Sequence, residues 1–321
     1  MKRPCIGIDL MGGDHPPQVL LKAVSCLVES LKTPVHFVVF GDLAYLKKLP
    51  PSSDPIKIST IESHEVIEME DDPLKAVRVK KQASMPLGIE AIKSGQIHAF
   101  VTTGNTGALL AASKLYLDSF SEISRPALLT LLPTKKKAMA VLDVGANLTA
   151  SSRLLLSFAK MGIAFQKSRG IKTPRVGLLN IGTEKLKGTK ERIKAHELLL
   201  EKLPSYFVGN IEAREAFYGN IDVLVTDGFT GNVFLKASEG VAELVRSRLN
   251  AFSAVDKKAF KSLDHELDTT EYAGALLSGI KSGIIIKCHG NASSKALKNG
   301  VHLALELLEG DFLKKIKNQL A

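Results

Sequence analysis

The sequence has no tryptophan, 6% aromatic residues and only three cysteines, Cys5, Cys26 and Cys288. Their spacing suits neither disulfide pairs nor a metal site, which fits a reducing compartment. No apolar run approaches the roughly 18 to 20 residues that cross a bilayer. The opening Met1 to Asp9 leads into a strand pattern rather than a signal-peptide layout, so the cytoplasm is the expected location. G-x-x-x-x-G-K-[ST] is missing, and the first turn reads Met11-Gly12-Gly13-Asp14 instead of G-x-G-x-x-G, which argues against ATP and dinucleotides. G-x-S-x-G is also missing, so a serine nucleophile has no support. Without a finger, RNP or basic-helix motif, nucleic acid is not the expected partner either.

What is there describes a folded globular chain: 321 residues, 45% hydrophobic and 24% charged. The net charge of +10 favours encounter with an acidic partner. The run Lys135-Lys136-Lys137 beside Pro133 reads as a solvated turn. Short Ile, Val, Leu and Phe runs alternate with helix-length segments, which predicts an α/β fold with a mostly parallel sheet. The spacing predicts strands over Cys5 to Ile8, Val35 to Phe40, Ala99 to Thr102, Ala138 to Leu142, Val176 to Leu179, Val223 to Thr226 and Gly283 to Ile286. It predicts helices over Val19 to Leu31, Thr106 to Leu117, Ser151 to Met161, Lys190 to Leu203, Asn232 to Leu249 and Ser294 to Leu308. With no linker in the composition, residues 1–321 read as one domain, and 249–272 as a projecting helical arm with a basic amphipathic face suited either to packing or to a membrane surface.

Six turns share one vocabulary: Met11 to Asp14, Thr103 to Gly107, Asp143 to Asn147, Asn180 to Glu184, Asp227 to Asn232, and His289 to Ser293. Glycine lets backbone N–H groups approach an oxyanion, and Asn, Thr and Ser add donors. In open α/β sheets ligands sit beyond the carboxyl ends of strands. Turns leading into the helices at Thr106, Asn232 and Ser294 add the positive end of a helix dipole. One turn alone is weak evidence, but six on one expected edge point to a shared anion pocket. Cys288 beside His289 suggests a thiol nucleophile only weakly, since neighbouring strand residues face opposite ways.

Taken in order, Asp9-Leu10-Met11-Gly12-Gly13-Asp14, Gly104-Asn105-Thr106-Gly107-Ala108, Arg125-Pro126-Ala127, Leu142 to Asn147, Leu178 to Gly182 and Asp227 to Val233 resemble the bacterial phosphate acyltransferase family over nearly the whole chain. The resemblance implies a three-layer αβα fold similar to phosphotransacetylases and isopropylmalate dehydrogenases. It also implies a homodimer, loose membrane attachment, and no metal or organic cofactor. Its implied activity moves an acyl group from acyl carrier protein to inorganic phosphate, giving acyl phosphate for phospholipid synthesis. The chain departs from the family pattern at Arg78 to Met85, where only Ser84 of two serines remains, and at Thr183-Glu184. It departs again at Tyr272 to Leu276, and at His289 to Ala292, where His-Gly-Ser-Ser is expected.

Under that reading phosphate attacks the thioester directly, and the protein orients it, excludes water and stabilises the oxyanion. Gly104, Asn105 and Thr106, with Gly231 and Asn232, are the expected cradle, and Lys185 or Arg78 neutralises charge. Asp143 or Asp227 orients donors or handles a proton, and His289 delivers one to the leaving thiolate. Gly12, Gly13, Asp14, Ser84, Gly107, Asn147, Gly182, Thr230 and Gly290 complete the expected phosphate and acyl contacts. Three rivals stay open: a phosphoryl transferase with Asp9, Asp14, Asp143 and Asp227 around Mg²⁺, coenzyme A in place of the carrier, and a non-catalytic scaffold.

Overall fold

The computed structural model describes residues 3–251 and 274–320. In chain order the first elements are β1 (Cys5–Asp9), α1 (Pro17–Ser30), β2 (Val35–Gly41), α2 (Leu43–Leu46), β3 (Ile56–Glu62), α3 (Pro73–Val79), α4 (Ser84–Lys93), β4 (Ala99–Thr102) and α5 (Thr106–Tyr116). There follow β5 (Ala127–Leu132), β6 (Met139–Leu142), α6 (Ser152–Ser168), β7 (Val176–Leu179), α7 (Lys190–Lys202), β8 (Phe207–Ile211), β9 (Val223–Val225) and α8 (Gly228–Ala251). Last come β10 (Ala275–Ser278), β11 (Ile284–Lys287), α9 (Ser294–Glu309) and α10 (Phe312–Leu320).

Contacts group the chain into two compact units, Met1–Phe120 with Ala273–Leu313, and Ser121–Tyr272 with Lys314–Ala321. In the first unit the strands lie in the order β3-β2-β1-β4-β11-β10. All neighbours there are parallel except β10 and β11. In the second unit the order is β5-β6-β9-β7-β8, parallel except between β5 and β6. The fold is therefore α/β, with mostly parallel strands flanked by helices.

Every residue of β1, β4, β6, β7 and β9 is buried, as expected of parallel strands covered on both faces. These are the strands that apolar runs mark most clearly. β3, by contrast, mixes buried and exposed positions along Ile56–Glu62, because it lies at the end of the strand order. The helical arm expected over 249–272 lies almost wholly outside the described residues. Of that span only the end of α8 is described.

Candidate functional site

In the first unit three glycine turns meet. The Gly12 backbone sits at φ +77, and a Cβ there would stand 3.2 Å from the Ile67 carbonyl oxygen and in contact with the Gly104 Cα at 3.4 Å. A Cβ on Gly13 would stand 2.6 Å from the Thr103 hydroxyl and 3.2 Å from the Gly290 carbonyl. The Asp14 N–H donates to that same carbonyl at 2.8 Å. The turns after β1, β4 and β11 are thus packed backbone to backbone, a closeness that side chains would prevent. Helix α5 starts from the middle turn, with Asn105 as its cap. The Asn105 Oδ1 accepts from the Ala108 N–H at 3.0 Å, and its Nδ2 donates to the Met69 carbonyl at 2.8 Å. The N–H groups of Thr106 and Gly107, in the first turn of the helix, have no acceptor within it.

Beneath these turns lies a buried polar network. Asp9, 1% exposed, accepts from the Thr102 hydroxyl at 2.7 Å and from the Met11 N–H at 2.9 Å. The Thr102 oxygen in turn accepts from the Gly104 N–H at 3.0 Å, so the carboxylate holds the glycine turn through one hydroxyl. Burial pushes the Asp9 carboxyl up to about 6, against hydrogen bonds from Ser84, Thr102 and Met11 and the charge of Lys287. Lys287 is itself buried, and its ammonium donates to the carbonyls of Thr103, at 3.3 Å, and Cys288. The Thr103 hydroxyl is buried without a hydrogen-bond partner. Its unmet capacity lies at the meeting point of the three turns.

In the second unit the carboxylates serve their own loops. Asp143, fully buried, accepts at Oδ1 from the N–H groups of Leu128, Gly145 and Ala146 and at Oδ2 from the N–H and side chain of Asn147. Burial raises its pKa against those amides. Burial also pushes the Asp227 carboxyl up, but hydrogen bonds from Thr230 and Arg192 prevail and hold it below the usual range. The Arg192 guanidinium reaches Asp227 Oδ2 at 2.8 Å, the Thr226 hydroxyl at 3.2 Å and the Leu179 carbonyl at 3.0 Å. Beside this pair opens a cleft of about 770 Å³, with Leu148, Ile181 and Phe229 among its walls.

The predicted residues divide between the units. Gly12, Gly13, Asp14, Ser84, Gly104, Asn105, Thr106, Gly107 and Gly290 cluster around the three turns or beneath them. Arg78 is exposed on α3, and His289 is exposed ahead of α9. Asp143, Asn147, Gly182, Lys185, Asp227, Thr230, Gly231 and Asn232 belong to the second unit. Several expectations change. Helix α8 starts at Gly228, not Asn232, and the Gly231 N–H donates to the Asp227 carbonyl at 2.8 Å, so it is not an open oxyanion donor. Gly231 is there for packing, because a Cβ would collide with the Asp143 carbonyl oxygen. Asn232 lies exposed one turn further along. Asp143 has no surface from which to pass a proton to substrate, and Asn147 is tied to Asp143 and the Pro126 carbonyl. Lys185 is exposed in the 180–189 loop.

Burial pushes the Cys288 thiol up to about 12, which removes it as a nucleophile. Among the described residues no group of three or more His, Cys, Asp or Glu side chains is placed to hold a metal ion. Sequence reasoning missed Thr102, Lys287 and Arg192. A lysine closing the apolar run Ile284 to Ile286 was an available signal. Arg192 gave none, since its partner lies 35 residues away.

The fold defines the class first. A phosphotransacetylase from Streptococcus pyogenes superimposes with a TM-score of 0.66 at 14% identity, over 98% of this chain and 95% of that one. A putative 4-hydroxythreonine-4-phosphate dehydrogenase from Salmonella typhimurium gives 0.56 at 16% identity, over 95% and 100%. The sequence then narrows the class. The family model described as "Fatty acid synthesis protein" matches residues 5–315. A phosphate acyltransferase from Chlamydia caviae is 38% identical over 98% of this chain and 99% of its own length, and one from Geobacillus sp. is 40% identical over 98% of each. The chain belongs to this phosphate acyltransferase family.

Proposed function

We propose that the protein transfers a fatty acyl group from acyl carrier protein to inorganic phosphate, releasing the free carrier thiol and an acyl phosphate for phospholipid synthesis. A phosphate oxygen attacks the thioester carbonyl carbon, the tetrahedral oxyanion collapses, the C–S bond breaks, and the leaving thiolate takes up a proton. The nucleophile is the substrate, so the protein's part is orientation, exclusion of water and stabilisation of the oxyanion. The observation that carries this reading is the meeting of three glycine turns at the start of α5, over the Asp9, Thr102 and Lys287 network. Helix-start amides and close backbone approach suit an anion, and the unpaired Thr103 hydroxyl leaves a donor beside them. Asn105 acts by shaping the turn. Asn232 offers an exposed side-chain amide, and His289, Lys185 and Arg78 offer exposed basic groups.

The net charge of +10 suits an acidic carrier protein, whose docking weakens as salt screens exposed charges. A homodimer, a cytoplasmic location and peripheral membrane contact through 249–272 complete the proposal. No described helix is long and apolar enough to cross a membrane. The test mixes purified protein with acyl carrier protein thioester, with and without phosphate, and follows free thiol together with acyl phosphate by mass spectrometry. Phosphate-dependent formation of both is expected. Thiol release without phosphate would make the protein a thioesterase instead.

A further inference from the structure

The cleft of the second unit lies at the carboxyl ends of β7 and β9, where α/β folds place their ligands. Its volume of about 770 Å³ is that of a small-molecule site. Its chemistry follows from what its polar side chains already hold. The Arg192 guanidinium is neutralised by Asp227 at 2.8 Å, and the Thr230 hydroxyl donates to the same carboxylate at 3.0 Å. Asn180 donates to the Lys187 carbonyl and accepts from the Ile181 N–H, both at 2.9 Å. Glu191 accepts from the Ser152 N–H at 2.8 Å, and Thr189 caps α7 by accepting from the Arg192 N–H. Thr149 adds a hydroxyl.

A phosphate or nucleotide needs open donors and uncompensated positive charge, whereas here the Arg192 guanidinium, the Asn180 amide and the Thr230 hydroxyl are already engaged. What the cleft presents is hydrocarbon: Leu148 is 72% exposed, Ile181 80% and Phe229 63%. Large apolar side chains left this bare around a concavity mark a binding surface. Resting on the proposed acyl transfer, we propose that this cleft receives the hydrocarbon tail of the acyl thioester. The tail gains by leaving water, at roughly fourfold in affinity per buried methylene, and the closed polar network lining the cleft asks nothing of it.

The experiment measures kcat/KM for acyl carrier protein thioesters of four and sixteen carbons with the full chain, with Ile181→Asp and with Leu148→Asp. Both positions are exposed, and circular dichroism checks that each variant folds. A charge at either wall should lower the sixteen-to-four-carbon ratio of kcat/KM at least tenfold. An unchanged ratio in both variants would place the tail elsewhere and overturn the proposal while leaving acyl transfer intact. If the unsubstituted protein makes no acyl phosphate from either thioester, the functional reading fails and direct binding decides the cleft. A fluorescent polyene fatty acid should then bind the unsubstituted protein at least tenfold more tightly than Ile181→Asp, and equal binding would overturn the subsite.

Discussion

The two units build their strand-end loops from the same residues and put them to opposite uses. In the first, Asp9 lies beneath the turns, takes one amide directly, that of Met11, and reaches the Gly104 N–H through the Thr102 hydroxyl, so the amides of Thr106 and Gly107 at the start of α5 stay without a helical acceptor. In the second, Asp143 and Asp227 sit inside their loops and take up the local donors themselves. A Gly and Asn or Asp vocabulary therefore does not by itself make an anion site. Whether a carboxylate is placed under the turn or within it decides whether amides remain for a ligand.

The largest effect that would test this contrast is in the second unit. Asp143→Ala strands several buried amides, each costing about 1 to 3 kcal/mol, so a loss of at least about 3 kcal/mol is expected, seen as a marked fall in Tm. A shift under a degree would mean that the loop does not depend on the carboxylate.

Asp9 tests the first unit through pH. Its carboxyl ionises near 3.8 when unfolded and at about 6 when folded, so between those values the folded state holds the proton more tightly. This contribution is favourable at low pH and is lost as pH rises through about 6, with an amplitude of about 3 kcal/mol. Asp9→Asn removes the ionisation, so the Tm of the variant relative to the parent should climb between pH 4 and pH 7. A flat difference would show that the carboxyl is not held neutral by burial.

Smaller effects compare the turns as ligand sites. Asn105→Asp keeps an acceptor for the α5 cap but sets a negative charge at the proposed phosphate seat. At an effective dielectric of about 20, a like charge roughly 5 Å away costs about 3 kcal/mol, or about a hundredfold, and it should appear as a raised KM for phosphate. Asn232→Ala, on the second unit, should lower turnover about tenfold while Tm stays nearly constant. Were Asn232→Ala the more damaging change, the phosphate seat would belong with the second unit's loops.

Much of this architecture was legible in the chain. Strands such as Ala99–Thr102 and Val176–Leu179 appear as predicted, because strands covered on both faces must be apolar throughout. Strand Ile56–Glu62 escaped because Lys57, Ser59, Thr60 and Glu62, spread over both of its faces, break the apolar run. Helix α8 starts earlier than the expected Asn232 because Asp227 supplies the N-terminal side-chain acceptor. From the sequence, Gly231 looked like an anion turn, and only the neighbouring Asp143 carbonyl explains it.

The order of apolar runs and glycine turns determined the α/β class and, through extended motifs, the family, since both are written in local patterns along the chain. Tertiary structure alone decided which amides stay open, which carboxylates are consumed, and that Arg192 and Asp227 neutralise each other beside an apolar cleft. Those outcomes depend on pairings across tens of residues, and hydrogen-bond capacity is settled only when the partners meet.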